Sequence, residues 1–321
     1  MLEAAEENDD DQYLHIDDYS SLFYEMHGRK FSDLNRSYML PVDKDEFQRF
    51  ELVNRLVKSI LNGSLFCGPV KKNLQFGPYR RVLDIGTGTG LWAMELCDLM
   101  PWVRVTGVDT VAIQPIEVPP RCRFEIWDVN NPDYSYDNGH FDFIHARYIQ
   151  EGITDFPKLL GQIGRLLRPG GIVLLIEPDL CQFADGKPES EYTDDTGPRG
   201  WFTLWETYRN CLTLLEIDVT VPRRFRELLE DTLVFEDIHV HEGIIPIGFY
   251  PADESELSVG QLQWMAHELF LPGLKPMFLH FGVPDVDRII KDAQRDLYSG
   301  DFQLSGRLHI AYATRREDEP V

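Results

Sequence analysis

One segment of the chain has a local order that few folds accommodate: a short apolar run, three closely spaced glycines, and then a helical pattern. The residues from Val82 to Trp92 read VLDIGTGTGLW. A strand that passes through a glycine turn into a helix exposes backbone N–H groups and the positive end of the helix, and glycine leaves room for a ligand to approach them. The segment therefore predicts a ligand-binding strand–turn–helix unit.

Two common glycine-rich motifs fit this segment poorly. A phosphate-binding loop needs Lys followed by Ser or Thr after its last glycine, whereas Gly90 is followed by Leu91 and Trp92. The dinucleotide fingerprint needs a glycine at its sixth position, where this chain has Leu91. A nicotinamide-dependent oxidoreductase is thus the less favoured alternative, and an ordinary strand-to-helix turn is the plain structural one.

The chain around this segment alternates short apolar runs with longer helical patterns, which is typical of parallel strands joined by crossover helices. Strands are predicted at Arg81–Ile85, Arg104–Val108, Cys122–Trp127, Phe141–Ala146 and Gly171–Glu177. Helices are predicted between them, notably at Leu91–Met100 and Asp155–Leu167. The fold class is therefore α/β, with a doubly wound, mostly parallel sheet.

Three carboxylates come into register at the ends of successive strands: Asp84, Asp109 and Asp128. The carboxyl ends of parallel strands face one crevice, where such folds bind ligands. Asp109 is placed to accept hydrogen bonds from ribose hydroxyls, and Asp128 with Val129 to bracket an adenine. Asp84 adds negative potential that suits a cationic ligand. The alternative for Asp109 and Asp128 is helix N-capping.

The rest of the chain adds helices around this sheet. An amphipathic helix is predicted within Asp33–Asn62, and further elements after the fifth strand. These are an exposed loop at Gly186–Gly200, helices at Trp201–Ile217, Arg223–Glu230, Glu254–Leu271 and Pro284–Tyr298, and a candidate antiparallel edge pair at Val234–Ile245 and Leu308–Ala313. The helix at Trp201–Ile217 carries aromatic residues at helical spacing, which favours core packing over a substrate cage.

Charge is the skewed property of the composition, with 54 acidic and 31 basic residues and a net charge of −23. This disfavours direct binding to nucleic acid. Residues 1–20 are interpreted as a disordered acidic tail, because they hold eight carboxylates and no Lys or Arg. No apolar run is long enough to span a membrane.

The expected location is intracellular, cytoplasmic or nuclear, because the acidic beginning of the chain does not resemble a secretory signal. The chain has five cysteines at wide spacing and no C-x-x-C pair. We therefore expect reduced, mostly buried thiols and no metal site.

Together these features resemble the class I S-adenosylmethionine-dependent methyltransferases, over about residues 80–178. The family's glycine-rich motif matches Asp84–Gly90, its ribose-binding acid matches Asp109, and its adenine-side acid matches Asp128. The resemblance implies a Rossmann-like, seven-stranded sheet with an N-terminal helix and a helical cap, and S-adenosyl-L-methionine as the cofactor. The residues it implies for cofactor binding are Asp84, Gly86, Thr87, Gly88, Gly90, Asp109, Thr110, Asp128, Val129 and His145.

A narrower resemblance is to the fungal LaeA-like methyltransferases, which are velvet-associated regulators of secondary metabolism and development. It rests on the segments at 28–31, 37–43 and 88–93. In that group the segment around Tyr38 precedes a helix that covers the cofactor, which implies that Tyr38 lines the site. The resemblance also implies a protein partner of the velvet or zinc-finger type.

The leading hypothesis is transfer of the cofactor's methyl group to an oxygen, nitrogen or carbon nucleophile. The catalytic residue is left open. His145 is the first candidate for a base because an imidazole titrates near neutral pH, and a buried core histidine is the equal alternative. The rival hypothesis is a cofactor-binding regulatory subunit with little or no methyl transfer.

The domain organisation follows from these assignments. Beyond the tail, residues 21–321 are predicted to be one methyltransferase domain. Its parts are an N-terminal helical extension at 21–78, a core at 79–180, helical insertions at 181–232 and 250–303, and edge strands near 234–245 and 308–313.

Overall fold

A computed structural model describes residues 21–75, 79–131, 136–193 and 196–317. These residues form a two-stranded hairpin and one eight-stranded sheet with helices around it. The acidic tail predicted over residues 1–20 lies outside the described residues. The single-domain organisation stays a prediction.

The strands are β1 (Phe23–Met26), β2 (Arg29–Ser32), β3 (Arg80–Ile85), β4 (Val103–Asp109), β5 (Cys122–Ile126), β6 (Phe141–Arg147), β7 (Leu167–Ala184), β8 (Lys187–Pro188), β9 (Phe235–Ile247) and β10 (Leu304–Arg315). The helices are α1 (Lys44–Ile60), α2 (Val70–Gln75), α3 (Leu91–Leu99), α4 (Phe156–Leu166), α5 (Arg199–Leu214), α6 (Phe225–Asp231), α7 (Glu254–Gly273), α8 (Lys275–His280) and α9 (Val286–Ser299). A short 3-10 turn follows β6 at Gln150–Gly152.

The large sheet has the strand order β5-β4-β3-β6-β7-β10-β9, with β8 paired to β7. The pairs from β5 to β7 are parallel. Strand β10 runs antiparallel to both β7 and β9, so β9 forms one edge. The doubly wound, mostly parallel sheet and the antiparallel edge pair are thereby confirmed.

Burial on both faces explains why the parallel strands are nearly continuous apolar runs. In β3, Val82, Leu83 and Ile85 are at most 1% exposed. Val82 contributes to the cluster that includes residues of α1 and α3, and Leu83 to the cluster that includes residues of α4 and α6. Packing on both faces therefore fixes the carboxyl ends of the strands.

The helix predicted within Asp33–Asn62 begins only at Lys44, with Asp43 as its N-terminal cap residue. The residues before it are held by tertiary bonds instead. Ser32 Oγ donates to the Thr110 carbonyl at 3.2 Å, and Asn35 Nδ2 donates to the Gly152 carbonyl at 2.9 Å. These bonds lay the segment across the ends of β4 and β6, which local spacing alone does not predict.

Strand β7 is also longer than the predicted strand at Gly171–Glu177, because Leu167, Arg168, Pro169 and Gly170 are part of it. A register shift between Phe141 and Phe143 of β6 accommodates them. The extension beyond Glu177 pairs with β8 and β10. Pairing with neighbouring strands, which is not visible locally in the sequence, decides this boundary.

The helices of the cap, α5, α7, α8 and α9, enclose a second core. Trp201, Phe202, Trp205 and Tyr208 of α5 are at most 5% exposed within it. Their predicted role in core packing is confirmed. All five cysteines are free thiols, of which Cys97, Cys122 and Cys211 are buried. Over the described ranges, every helix is too short or too polar to cross a bilayer.

Candidate functional site

A cavity lies at the carboxyl ends of β3, β4 and β6, with α1 as part of its wall. Together with the solvent space at its mouth it measures about 940 Å³. Among the residues predicted for the site, seven line it: Tyr38, Gly86, Thr87, Gly88, Asp109, Thr110 and Val129. Four do not: Asp84, Gly90, Asp128 and His145.

The glycine turn requires glycine at two positions for steric reasons. Gly86 has a φ of +67°, and a Cβ there would lie 2.4 Å from Cγ2 of Ile149. Gly90, with a φ of +79°, is the N-terminal cap residue of α3, and a Cβ there would meet the ring of Phe124 at 2.3 Å. Packing against Phe124, and not contact with the cavity, therefore requires a glycine at position 90.

Three backbone N–H groups of the turn, those of Gly86, Thr87 and Gly88, are bonded within the protein. The N–H groups of Gly86 and Thr87 both donate to the carbonyl of Val108, at 2.9 and 3.0 Å. The N–H of Gly88 donates to the carboxylate of Asp109 at 2.7 Å. These three bonds hold the turn against the end of β4.

Asp109 is the carboxylate that reaches the cavity. Its oxygens accept from the N–H groups of Gly88 and Val111, at 2.7 and 3.3 Å. Burial raises its pKa to about 6, although those backbone bonds act in the opposite direction. The carboxylate is therefore fixed in place and able to accept further hydrogen bonds above that pH.

Asp128 is not among the residues that line the cavity, and its role beside the adenine stays a prediction. Its Oδ1 accepts from the backbone N–H and the side-chain Nδ2 of Asn130, both at 3.0 Å. These bonds close the turn after β5. The part of the cavity wall that follows β5 is formed by Trp127 and Val129.

His145 and Asp84 lie behind the glycine turn, in the core. His145 is 1% exposed, and its ring stacks on Trp92 with the centroids 3.9 Å apart and the planes 11° apart. Burial lowers its pKa more than Asp84 raises it. Asp84 also accepts from Thr87 Oγ1 at 2.6 Å. The pair therefore supports the turn, and His145 is not among the residues that line the cavity.

Sequence reasoning missed a cation that lines the cavity at the end of β6, on the other side of β3 from Asp109. Arg147, the last residue of β6, lines the cavity and donates from Nη2 to Oδ1 of Asn54 on α1 at 2.9 Å. Tyr148 and Ile149 follow it on the same wall. The rule that located Asp109, that ligands meet the residues at strand ends, applies equally to Arg147 and was a usable signal.

Tyr38 lines the cavity as predicted, beside residues of α1 such as Phe50 and Val53. Burial raises the pKa of its phenol well above the usual value, and that of Tyr148 likewise. Both phenols therefore stay protonated at neutral pH. The segment before α1 and the helix itself form one side of the cavity.

The titratable lining of the cavity is sparse. Its described lining residues include one carboxylate, Asp109, one guanidinium, Arg147, and the phenols of Tyr38 and Tyr148, without His, Lys, Cys or Glu. Glu151, whose pKa burial raises to about 7, is bonded to Tyr208 at 3.2 Å and is not part of the lining. In the part of the chain that the structure describes, no three metal-ligating side chains cluster.

Comparison with known proteins accounts for this arrangement. A family model described as a methyltransferase domain matches residues 46–231. The secondary metabolism regulator laeA of Coprinopsis cinerea is 30% identical over 91% of this chain and 73% of that protein. The methyltransferase pytC of Aspergillus terreus is 33% identical over 74% of this chain and 69% of that protein.

A third relative, from Emericella nidulans, is named protein-methionine methyltransferase laeA. It is 30% identical over 91% of this chain and 76% of its own length. The residues matched by the family model include β3, β4 and β6, whose carboxyl ends border the cavity. The chain is an S-adenosylmethionine-dependent methyltransferase and belongs to the group that contains the fungal LaeA-like regulators.

Proposed function

We propose that the cavity binds S-adenosyl-L-methionine across the ends of β3, β4 and β6, with its ribose at Asp109 and its amino-acid part at Arg147. The observation that carries the proposal is that these two oppositely charged side chains and the turn at Gly86–Gly88 line one cavity. A carboxylate suits the hydroxyls of the ribose, and a guanidinium suits the carboxylate of the methionine part.

The other lining residues fit the remaining parts of the cofactor. Trp127, Val129 and Val111 provide an apolar wall for the adenine, next to Asp109 and Thr110. Asn54 holds the guanidinium of Arg147 in place. The glycine positions Gly86 and Gly88 let the ligand approach the backbone without a side chain in the way.

When bound, S-adenosyl-L-methionine supplies a methyl group on a positively charged sulfur, which is already activated for transfer. The chain's own residues then have to bind the cofactor, orient it towards the acceptor and enclose it. Tyr38 and Phe50 cover the cavity from the side of α1, and the clamp between Gly88 and Asp109 fixes the ribose end. Such positioning can supply much of the acceleration of a bimolecular transfer.

We infer that the acceptor is a thioether sulfur, as in a methionine side chain. A thioether attacks the methyl carbon, the bond to the departing sulfur breaks with its electron pair, and no proton is released. Oxygen and nitrogen acceptors have a proton to lose and are helped by a base. The neutral phenols of Tyr38 and Tyr148, the cation Arg147 and the ribose-side Asp109 are poorly suited to that task. The name of the relative from Emericella nidulans supports this class.

The biological role we propose is regulation of secondary metabolism or development together with a velvet-type or zinc-finger protein, in the nucleus or the cytoplasm. It is supported by the similarity to proteins named secondary metabolism regulators. The alternative, a regulatory subunit that binds the cofactor without transferring methyl groups, is separated from it by the second experiment below.

The first experiment measures by calorimetry the binding of S-adenosylhomocysteine and of methylthioadenosine, which lacks the amino-acid part. Asp109→Ala should weaken both ligands about 10- to 100-fold, since each loses the bonds to its ribose. Arg147→Met should weaken only S-adenosylhomocysteine. Equal losses for both ligands in Arg147→Met, or undiminished affinity in Asp109→Ala, would contradict the proposed orientation.

The second experiment incubates the protein with methyl-labelled cofactor and with peptides that differ at one position. It is run with the protein alone and again with proteins that co-purify with it. Label on a methionine peptide, and none when norleucine replaces the methionine, supports the thioether. Label on serine or lysine peptides excludes it. Tight partner binding without label on any protein or peptide favours the regulatory subunit.

A further inference from the structure

Three aromatic side chains form a row on the surface: Phe249 after β9, Trp264 on α7 and Tyr298 on α9. The ring centroids of Phe249 and Trp264 are 5.4 Å apart, and those of Trp264 and Tyr298 are 5.3 Å apart. Phe249 is 60% exposed and Tyr298 is 50% exposed. We call these three residues the aromatic row. None of them lines the cavity.

The polar atoms of the row are already satisfied within the protein. The indole N–H of Trp264 donates to the carbonyl of Leu297 at 3.2 Å. The hydroxyl of Tyr298 donates to Oε1 of Glu268 at 2.9 Å. The exposed surface of the row is therefore mainly ring carbon. Contiguous apolar surface of this kind marks interaction sites on folded proteins.

The stretch of chain that contributes Phe249 and Trp264 is one-sided in its charge. Between Arg226 and Lys275 the chain has no Lys or Arg. Over the same stretch it has ten carboxylates, namely Glu227, Glu230, Asp231, Glu236, Asp237, Glu242, Asp253, Glu254, Glu256 and Glu268. Phe249 and Trp264 belong to this stretch, and Glu268 contacts the third member of the row. On α9, Arg295 is paired with Asp292 at 3.0 Å.

Exposed ring carbon together with acidic residues indicates the kind of partner that fits this surface. A second copy of the chain would carry the same net charge of −23 and the same Glu268 beside its own row, and like charges oppose association. A segment rich in Arg or Lys does the reverse: its cations are attracted by the carboxylates and by the faces of aromatic rings. Its long side chains also cover ring carbon with their own methylene groups.

We propose that the aromatic row is a docking surface for an arginine- or lysine-rich segment of a partner protein. The proposal stands on the surface alone and is independent of the acceptor and of methyl transfer. It assigns to Phe249, Trp264 and Tyr298 the contact with the partner and to Glu268 a charge at the edge of that contact.

The test measures, by fluorescence anisotropy at physiological salt, the binding of a labelled peptide with the repeat Arg-Ser-Lys-Gly. A peptide of equal length with the repeat Glu-Ser-Asp-Gly is the charge control. The protein is used as wild type, as the double variant Phe249→Ser with Tyr298→Ser, as Phe249→Ser alone, and as Leu233→Ser. Leu233 is 77% exposed and lies in the same acidic stretch but outside the row. Leu233→Ser therefore removes an exposed apolar side chain, keeps the charge and leaves the three rings intact.

We expect the basic peptide to bind and the acidic one not to. The double variant should weaken binding about tenfold or more and Phe249→Ser by a smaller factor, as expected for loss of buried aromatic contacts. Leu233→Ser should stay within about twofold, with unchanged unfolding temperatures throughout. Equal binding to wild type and double variant, or no binding of the basic peptide to wild type, overturns the proposal. So does a concentration-dependent dimer that the double variant abolishes, because the occupant would then be a second copy.

Discussion

Nδ1 of His145 lies 2.7 Å from Oδ1 of Asp84, and both side chains are buried behind the glycine turn. The other carboxylate oxygen of Asp84 accepts from Thr87 Oγ1, so one buried acid connects β6 to the turn. The residue that is the obvious base from the sequence is therefore a structural partner of the acid beside it. Together they hold the turn that shapes the cofactor cavity.

Asp84→Ala should lower the free energy of unfolding by about 2–3 kcal/mol, because it leaves the buried His145 and Thr87 without their partner. Cofactor affinity should fall at the same time, since the turn loses its support. Urea denaturation and calorimetry measure the two effects. Asp128→Ala is the matched control: its carboxylate holds only a local turn with Asn130, and its cost should stay near ~1 kcal/mol. Equal costs in the two variants would argue against the special role of Asp84.

Cofactor affinity should depend on the ionisation of Asp109. Its pKa in the free protein is raised to about 6, so below that pH the free protein carries a carboxyl group that is a poorer acceptor for the ribose hydroxyls. Affinity for methylthioadenosine should be constant above about pH 7 and fall by up to tenfold per pH unit below 6. Asp109→Asn should bind weakly and lose the dependence. A pH profile that is unchanged in this variant would assign the titration to another group.

Gly86→Ala should destabilise the protein by about 2–4 kcal/mol, through an unfavourable positive φ and a clash with Ile149. The two causes can be separated with a second substitution. In an Ile149→Ala background the clash disappears, and Gly86→Ala should then cost only the backbone part, about 1–2 kcal/mol. Denaturation of the four proteins of this cycle gives the coupling energy. Strict additivity would show that the clash is relieved in some other way.

Stability should fall as pH rises through the range in which Glu151 ionises. Its pKa is raised from 4.5 to about 7, mainly by burial, so between these values the unfolded chain binds fewer protons than the folded protein. The stabilising contribution of the protonated acid is complete below pH 4.5 and is lost towards pH 7, by up to about 3 kcal/mol.

Glu151→Gln keeps an acceptor for Tyr208 and removes the titration. The difference in unfolding free energy between this variant and wild type should therefore grow from pH 5 to pH 7.5 in favour of the variant. A constant difference over that range would show that Glu151 does not titrate with a raised pKa.

The site itself was predictable to the extent that it depends on strand ends. The glycine turn, Asp109 and Thr110 reach the cavity because they end or follow neighbouring parallel strands. Asp128 also follows a strand of the sheet, but it is not part of the cavity lining, and its side chain bonds to Asn130 two residues on. Whether a strand-end carboxylate turns towards a ligand or closes its own turn depends on local bonds that spacing does not reveal.

The sequence by itself determined the order of strands and helices from β3 to β7, the glycine turn and the carboxylate at Asp109, because these follow from hydrophobic period and local steric rules. Only the tertiary structure decided that the N–H groups of Gly86, Thr87 and Gly88 bond to Val108 and Asp109, that His145 stacks on Trp92 in the core, and that Arg147 lines the cavity beside Asn54. These are contacts between residues far apart in the chain. Their outcome depends on which groups find hydrogen-bond partners once the sheet and helices are packed, and the sequence states no such pairing.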